Sequence, residues 1–189
     1  MLRKESIRKK NYLIRKKKYF SISVNFFLPL VKLIKNNYKQ KTIFLSLYYP
    51  TNSEVNILNF FNIKNKKNIK TLLPIVMKKN NLKFVEWNLY DPLKVNKYGM
   101  LEQNLSKKFV VPNIMLIPLL AYDLKNNRIG YGKGYYDRFL NKYLKIKKNM
   151  LTIGIAFSFQ KYNKLPASSL DVKLDYILTE KGLQKKWTF

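Results

Sequence analysis

The chain contains no cysteine and no histidine among its 189 residues. Their absence excludes disulfides, thiol nucleophiles, Cys/His zinc sites and every triad or acid–base pair built on imidazole. Acidic residues are scarce, with ten Asp+Glu against 38 Lys+Arg and a formal charge of +28. Arginine is limited to Arg3, Arg8, Arg15, Arg128 and Arg138, which tells against a surface built to fork onto bases and phosphates. No apolar run approaches the roughly 18 residues of a membrane span. The longest, Ile114 to Tyr122, is interrupted by Pro118. The basic N-terminus has no clean apolar stretch for a signal peptide, because Lys32 interrupts Phe26–Ile34. The expectation is a cytoplasmic, monomeric chain with no membrane partner.

Hydrophobic residues make up 47% of the sequence, enough for a packed core, and the length predicts one domain spanning 1–189. Lysine occurs with asparagine and isoleucine, as in Ile34-Lys35-Asn36-Asn37 and Ile63-Lys64-Asn65-Lys66-Lys67-Asn68. These residues share A/T-rich codons, so the charge reads either as base bias, the reading the scarcity of arginine favours, or as a surface for a nucleic-acid or other anionic partner. No specific nucleic acid is expected, although polyanions will adhere non-specifically. Chemistry must come from lysine, arginine, tyrosine, hydroxyls, backbone dipoles and the few carboxylates.

The pattern predicts helices over 3–19 and 24–37, the second with an uncertain start at Pro29. Lys41 to Tyr49 reads as a buried strand, the turn Pro50-Thr51-Asn52-Ser53 follows, and a helix is expected over 54–64. Strands are expected over 70–77 and 82–87, then a polar, irregular stretch over 88–109. Further strands are read at 113–118, 151–157 and 174–179, with a helix over 134–145. Strands written as continuous apolar runs and alternating with helices argue for an α/β fold. The expectation is a three-layer α/β/α domain on a largely parallel or mixed central sheet.

One segment stands out: Arg128-Ile129-Gly130-Tyr131-Gly132-Lys133-Gly134-Tyr135-Tyr136-Asp137-Arg138. Three of the six glycines lie two residues apart immediately before a predicted helix. Such glycines let backbone approach an anion, and the open N–H groups of a helix start point towards it. Lys133 and Arg128 add mobile and forked positive charge, and Asp137 could hold a divalent cation on the far side of phosphates. The segment is neither a Walker A loop nor a dinucleotide fingerprint. On its residues alone it reads equally as a tight connection or as a phosphate cradle.

This segment closely resembles the signature of the 5-formyltetrahydrofolate cyclo-ligase family. The resemblance continues through Leu116 to Asp123 upstream, and through Ile153 to Phe157, Gln160, Leu165-Pro166, Asp171 to Asp175 and Thr179-Glu180 downstream. Lys4 and Arg8 have the family's Lys-x-x-x-Arg spacing, and Tyr48 to Glu54 resembles its Tyr-x-Pro-x-x-x-Glu region. Two departures are visible. The family's Gly-Phe-Gly-Ile-x-Glu-Pro loop is here Tyr98-Gly99-Met100-Leu101-Glu102-Gln103, without the proline, and Lys133 stands where many members have glycine.

The resemblance implies a Rossmann-like fold and ATP- and Mg²⁺-dependent cyclisation of 5-formyltetrahydrofolate to 5,10-methenyltetrahydrofolate, through phosphorylation of the formyl oxygen. The folate could carry a polyglutamate tail. Phosphoryl transfer rests on positioning and charge neutralisation, which a chain without histidine or cysteine can supply. By position, the resemblance gives Lys4, Arg8, Arg128, Ile129, Gly130, Tyr131, Gly132, Lys133, Gly134, Tyr135 and Tyr136 to the nucleotide. Arg128, Lys133 and Tyr136 are the expected catalytic groups among them. Asp137 and Asp171 become the Mg²⁺ ligands, and Tyr49 and Glu54 contact the folate. A carboxylate suits the amide-like N–H groups of a pterin, and a tyrosine can stack on its ring.

Overall fold

A computed structural model describes residues 3–38, 42–51, 53–63, 68–96, 99–104, 108–147 and 149–185. The expected strand start at Lys41, turn residue Asn52, helix end at Lys64 and loop residue Tyr98 lie outside the described residues. The chain opens with α1 (Lys4–Lys18), a 3₁₀ turn (Val24–Phe27) and α2 (Leu28–Asn37). Pro29 is the second residue of α2, where no intrahelical donor is needed. Next come β1 (Ile43–Ser46), a 3₁₀ segment (Ile57–Asn62), β2 (Ile69–Met77), β3 (Asn81–Glu86) and the short pair β4 (Lys94–Val95) and β5 (Leu101–Glu102). The second half holds β6 (Ile114–Pro118), β7 (Ala121–Asp123), β8 (Arg128–Ile129), α3 (Tyr135–Tyr143), β9 (Leu151–Ile155), β10 (Lys161–Tyr162), β11 (Tyr176–Thr179) and β12 (Gly182–Lys185).

Seven strands form one sheet in the order β12-β11-β9-β6-β1-β2-β3. The five inner strands are parallel, and the edge strands β12 and β3 are antiparallel to their neighbours. The sheet is therefore mixed, with apolar runs where it is buried on both sides. Phe27, Leu30 and Ile34, from the α2 region, pack on one face against Leu45, Leu116 and Ile153. Phe139 and Leu140 of α3 pack on the other face against Met115, Ile117 and Ile177. Helices thus cover both faces, as the three-layer expectation required. α1 lies beside β7 and β8, with Ile7 against Ala121 and Ile129.

Counted in chain order, the parallel strands run 2-1-3-4-5, and the order reverses between β1 and β6. In doubly wound sheets a crevice opens at that point, outside the carboxyl ends of the strands. β2 pairs with β1 only as far as Leu72, but continues to Met77 against β3. Leu47 N donates to Leu72 O, so the even-numbered residues of β2 turn their backbone towards the β1 side. Pro74 falls where no partner strand would use its missing N–H, which is where a strand tolerates proline.

Two expectations change. The helix expected over 54–64 is a 3₁₀ segment, Ile57–Asn62, started by Asn56, whose side chain accepts from Leu58 N. The irregular 88–109 stretch contains the β4–β5 pair, and β7, β8, β10 and β12 are two to four residues long, below the reach of periodicity.

Gly154, in the centre of β9, leaves no room for a methyl group. An added Cβ would meet Ile177 Cδ1 and Leu119 Cδ2 at 2.7 Å and Leu174 Cδ1 at 2.8 Å. Gly154→Ala is expected to destabilise the fold by about 1–3 kcal/mol through overpacking. Thermal melting should show a fall of roughly 2–4 °C per kcal/mol; an unchanged midpoint would show that the layer yields freely.

Candidate active site

A cleft of about 610 Å³ opens at the switch point. Tyr48, Tyr49, Thr51 and Glu54 reach it from the turn after β1, Pro118 from the end of β6, and the whole Gly130–Asp137 segment from the opposite rim. The glycine segment is pinned at its base. Buried Asp123 accepts from Asn127 N (2.9 Å), Asn127 Nδ2 (2.8 Å) and Leu165 N (3.0 Å), which fixes the turn entering β8.

The amides of Tyr131, Gly132, Lys133 and Gly134 find no protein acceptor among the described residues, and the first helical bond of α3 is Arg138 N to Gly134 O at 3.1 Å. A row of open donors at a helix start attracts an anion. The turn depends on glycine where φ is positive, at Gly132 (+99°) and Gly134 (+65°). Gly134 also lies under Arg138, whose Nη1 would be 3.1 Å from an added Cβ and whose guanidinium donates to Lys133 O. Gly132 lies over Arg8, whose Nε donates to Gly130 O at 3.0 Å. The Lys133 side chain is exposed and has no hydrogen bond or ion pair among the described residues, so its charge is available to a ligand.

Arg128, expected to turn its fork towards phosphates, directs it to protein acceptors. Its side chain is 5% exposed, with Nη1 donating to Val172 O (2.7 Å) and Nη2 to Asp137 Oδ1 (2.8 Å). Asp137 Oδ1 also accepts from Val172 N at 3.1 Å. The guanidinium therefore ties the start of α3 to the 171–172 segment. Lys4 is likewise paired, with Asp171 Oδ2, which also accepts from Ser168 N (2.6 Å) and Ser168 Oγ (2.9 Å). Burial pushes the Asp171 carboxyl up, but the bonds from Lys4 and Ser168 outweigh it and hold the group below its ordinary value.

Among the described residues no three acidic side chains cluster as a ready metal cage. What fits a hard cation is a half-open pair. Asp137 Oδ2 and Asp171 Oδ1 take no hydrogen bond among the described residues. Two such oxygens suit Mg²⁺, which keeps waters and phosphate oxygens as its remaining ligands.

On the other wall, Glu54 is 7% exposed. Tyr131 OH donates to its Oε1 at 2.5 Å, and Thr51 N (2.8 Å) and Thr51 Oγ1 (3.3 Å) donate to its Oε2. Burial raises its pKa, offset in part by those bonds and by the Arg15 charge. Burial and the neighbouring Glu54 carboxylate push up the hydroxyls of Tyr131 and Tyr136. Tyr136 is thus beside Glu54, whereas Tyr49 lines the cleft with its ring edge-on to Trp87, centroids 6.3 Å apart.

The structure adds two residues that sequence reasoning left out. Arg15, 1% exposed, stands 5.5 Å from the Tyr131 ring centroid and donates to Leu119 O at 3.4 Å. Lys4, Arg8, Asn11 and Arg15 form one stripe of α1 at spacings of four, three and four, a pattern that was available in the sequence. Glu102 of β5 is 8% exposed and also lines the cleft.

Residues 2–180 match the model of the 5-formyltetrahydrofolate cyclo-ligase family. The 5-formyltetrahydrofolate cyclo-ligase of Haemophilus influenzae is 31% identical over 140 residues, covering 71% of this chain and 74% of that protein. The one from Mycoplasma genitalium is 34% identical over 135 residues, covering 71% and 70%. The NMR structure of Aquifex aeolicus 5,10-methenyltetrahydrofolate synthetase superposes with a TM-score of 0.75 at 26% identity, over 98% of this chain and 94% of that one. A 5,10-methenyltetrahydrofolate synthetase from Mycoplasma pneumoniae gives 0.68 at 27% identity, over 94% and 98%. With a family match along almost its whole length and a shared fold, the chain belongs to the 5-formyltetrahydrofolate cyclo-ligase family of enzymes.

Proposed function

We propose that this enzyme cyclises 5-formyltetrahydrofolate to 5,10-methenyltetrahydrofolate with ATP and Mg²⁺, releasing ADP and phosphate. The observation that carries the reading is the Tyr131–Glu54 hydrogen bond. It joins an anion-binding glycine turn to a buried carboxylate on the opposite wall of one cleft, so that a phosphate donor and a nitrogen-rich acceptor would meet there.

ATP would supply the phosphoryl group that makes the formyl oxygen a leaving group, and Asp137 and Asp171 would hold Mg²⁺, whose charge would offset that of the phosphates. The chain's own part is positional and electrostatic. The amides of Tyr131 to Gly134 and the Lys133 ammonium bind phosphate oxygens, and Lys133 follows the charge that builds during transfer. Arg128 acts through Asp137 and Val172 by fixing the metal-binding carboxylate. Ring closure forms a bond from N10 to the formyl carbon, breaks the bond from that carbon to the phosphorylated oxygen, and releases the N10 proton. Glu54 is the base that takes it, its pKa raised towards the working range of a general base. Tyr136, beside Glu54, closes the cleft wall at that point.

The test is the absorbance of methenyltetrahydrofolate formed by purified protein with and without ATP. Product should accumulate only with ATP, stop on chelation of Mg²⁺ by EDTA, and resume when Mg²⁺ is restored in excess. Product formation indifferent to both additions, or a protein that binds no nucleotide, would reject the assignment.

A further inference from the structure

We infer that Arg15 is a positioning residue: from α1 it holds Tyr131 across the cleft to Glu54 and supplies that carboxylate with its counter-charge. The inference rests on the reading of Glu54 as the base and deepens it. Arg15 ends the buried stripe of α1 and is 1% exposed. It is not among the residues that line the cleft, so it acts through another side chain and not on a ligand. Burying a guanidinium is costly, and an apolar side chain in such a place often serves stability as well or better. Packing alone therefore does not explain an arginine there.

Its contacts converge on the wall that carries Glu54. Nη1 donates to Leu119 O at 3.4 Å, a carbonyl just past the end of β6 that also accepts from Gln160 Nε2 at 3.0 Å. The guanidinium carbon stands 5.5 Å from the Tyr131 ring centroid, and the guanidinium hydrogen-bonds the Tyr131 oxygen, whose own proton goes to Glu54 Oε1. Tyr131 needs such a hold. It stands between Gly130 and Gly132 and is 42% exposed, so neither stiff neighbours nor burial fixes its direction.

The groups facing Glu54 are Thr51 and Tyr48 from the turn after β1, Tyr131 from the glycine turn, Tyr136 from α3 and Arg15 from α1. Among the described residues Glu54 is in no direct ion pair. Arg15 is the cation in that set, and its charge favours the ionised carboxylate. One rigid helix thus reaches the whole site, through Lys4 to Asp171, Arg8 to Gly130 O and Arg15 to Tyr131.

Two measurements test this: the pH profile of kcat/KM for methenyltetrahydrofolate formation, and a ¹³C NMR titration of the Glu54 carboxyl in glutamate-labelled protein, assigned with Glu54→Gln. Arg15→Met should raise both the titration midpoint and the acid limb by about one pH unit, the scale for loss of a nearby opposite charge. It should also cut kcat by roughly 10- to 100-fold, the cost of a misplaced catalytic group. Arg15→Lys keeps the charge without the fork, so midpoint and limb should return most of the way while kcat recovers less. Tyr131→Phe removes only the oxygen between the two groups; it should raise the midpoint as well, and it decides the matter if Arg15→Met does not fold. An arginine with a purely structural role would lower the melting temperature and leave midpoint and limb where they are. That result overturns the proposal, as does a Tyr131→Phe protein that titrates like the unmodified one. Should the midpoint rise in the variants while unmodified protein forms no methenyl product with ATP, Arg15 keeps its hold on Glu54 and the catalytic reading fails.

Discussion

Replacing Glu54 by glutamine should lower kcat for methenyltetrahydrofolate formation by about 10²- to 10⁴-fold, the range for loss of a general base. Glutamine retains the outline and can still accept from Tyr131 and Thr51, so the turn after β1 should hold its shape. It cannot take the N10 proton. Nucleotide affinity should be unchanged, because among the described residues Glu54 is hydrogen-bonded to the glycine turn only through the Tyr131 hydroxyl. The loss should fall on kcat more than on KM. Steady-state kinetics in both substrates decide the matter. Normal kcat, or equal losses of affinity for ATP and folate, would remove Glu54 from this role.

The same residue sets a pH dependence. Burial places the Glu54 pKa above its ordinary value in the folded chain. The base works only when ionised, so activity should fall as pH drops through that raised value, earlier than an ordinary glutamate would allow. Stability runs the other way: the buried neutral form is favoured, so Glu54's contribution is present below the unfolded pKa and lost as pH rises through the folded one. Asp171 has the contrary sign. Its depressed pKa contributes stability above the unfolded value, lost as pH falls through the folded one. The acid limb of kcat/KM should therefore move to lower pH, or vanish, in Glu54→Gln, while the melting temperature at neutral pH holds or rises. An unshifted limb would assign it to another group.

Much of the site could be read from the chain because its signals are local. A glycine spacing and a helix start lie within eleven residues, and the structure builds them into one turn of open amides. The parallel core strands are short apolar runs, so composition betrays them. What could not be read depends on distant pairs. Arg128 read as a fork for phosphates because Val172 and Asp137, which bind it, come together only when the 171–172 segment packs on α3. Glu102 was hidden for a similar reason: its anchor is a backbone amide of β2, exposed only because β1 stops short. Arg15 was the missed opportunity. It completes the α1 stripe of Lys4, Arg8 and Asn11, yet a basic residue in a lysine-rich helix reads as solvated until the burial is seen.

Lys133→Met should lower kcat by about 10²- to 10³-fold, the scale for removing one preorganised charge donor from a transition state. Among the described residues the Lys133 ammonium has no protein partner, so nothing described in the fold depends on it. Methionine keeps the length and apolar stem, and the amides of the turn are untouched. Ground-state ATP affinity should therefore fall much less than kcat, because phosphate oxygens keep the backbone donors whereas charge built up during transfer loses its counter-charge. Arg128→Lys makes the instructive contrast. It breaks a bidentate tie to Val172 and Asp137, so it should lower thermal stability as well as activity. If both variants melt at the unmodified temperature and lose kcat equally, the division between a free and a structural cation is wrong. If Lys133→Met turns over normally, the turn holds the nucleotide without help from its one exposed cation, and catalysis must rest on the amides and the metal alone.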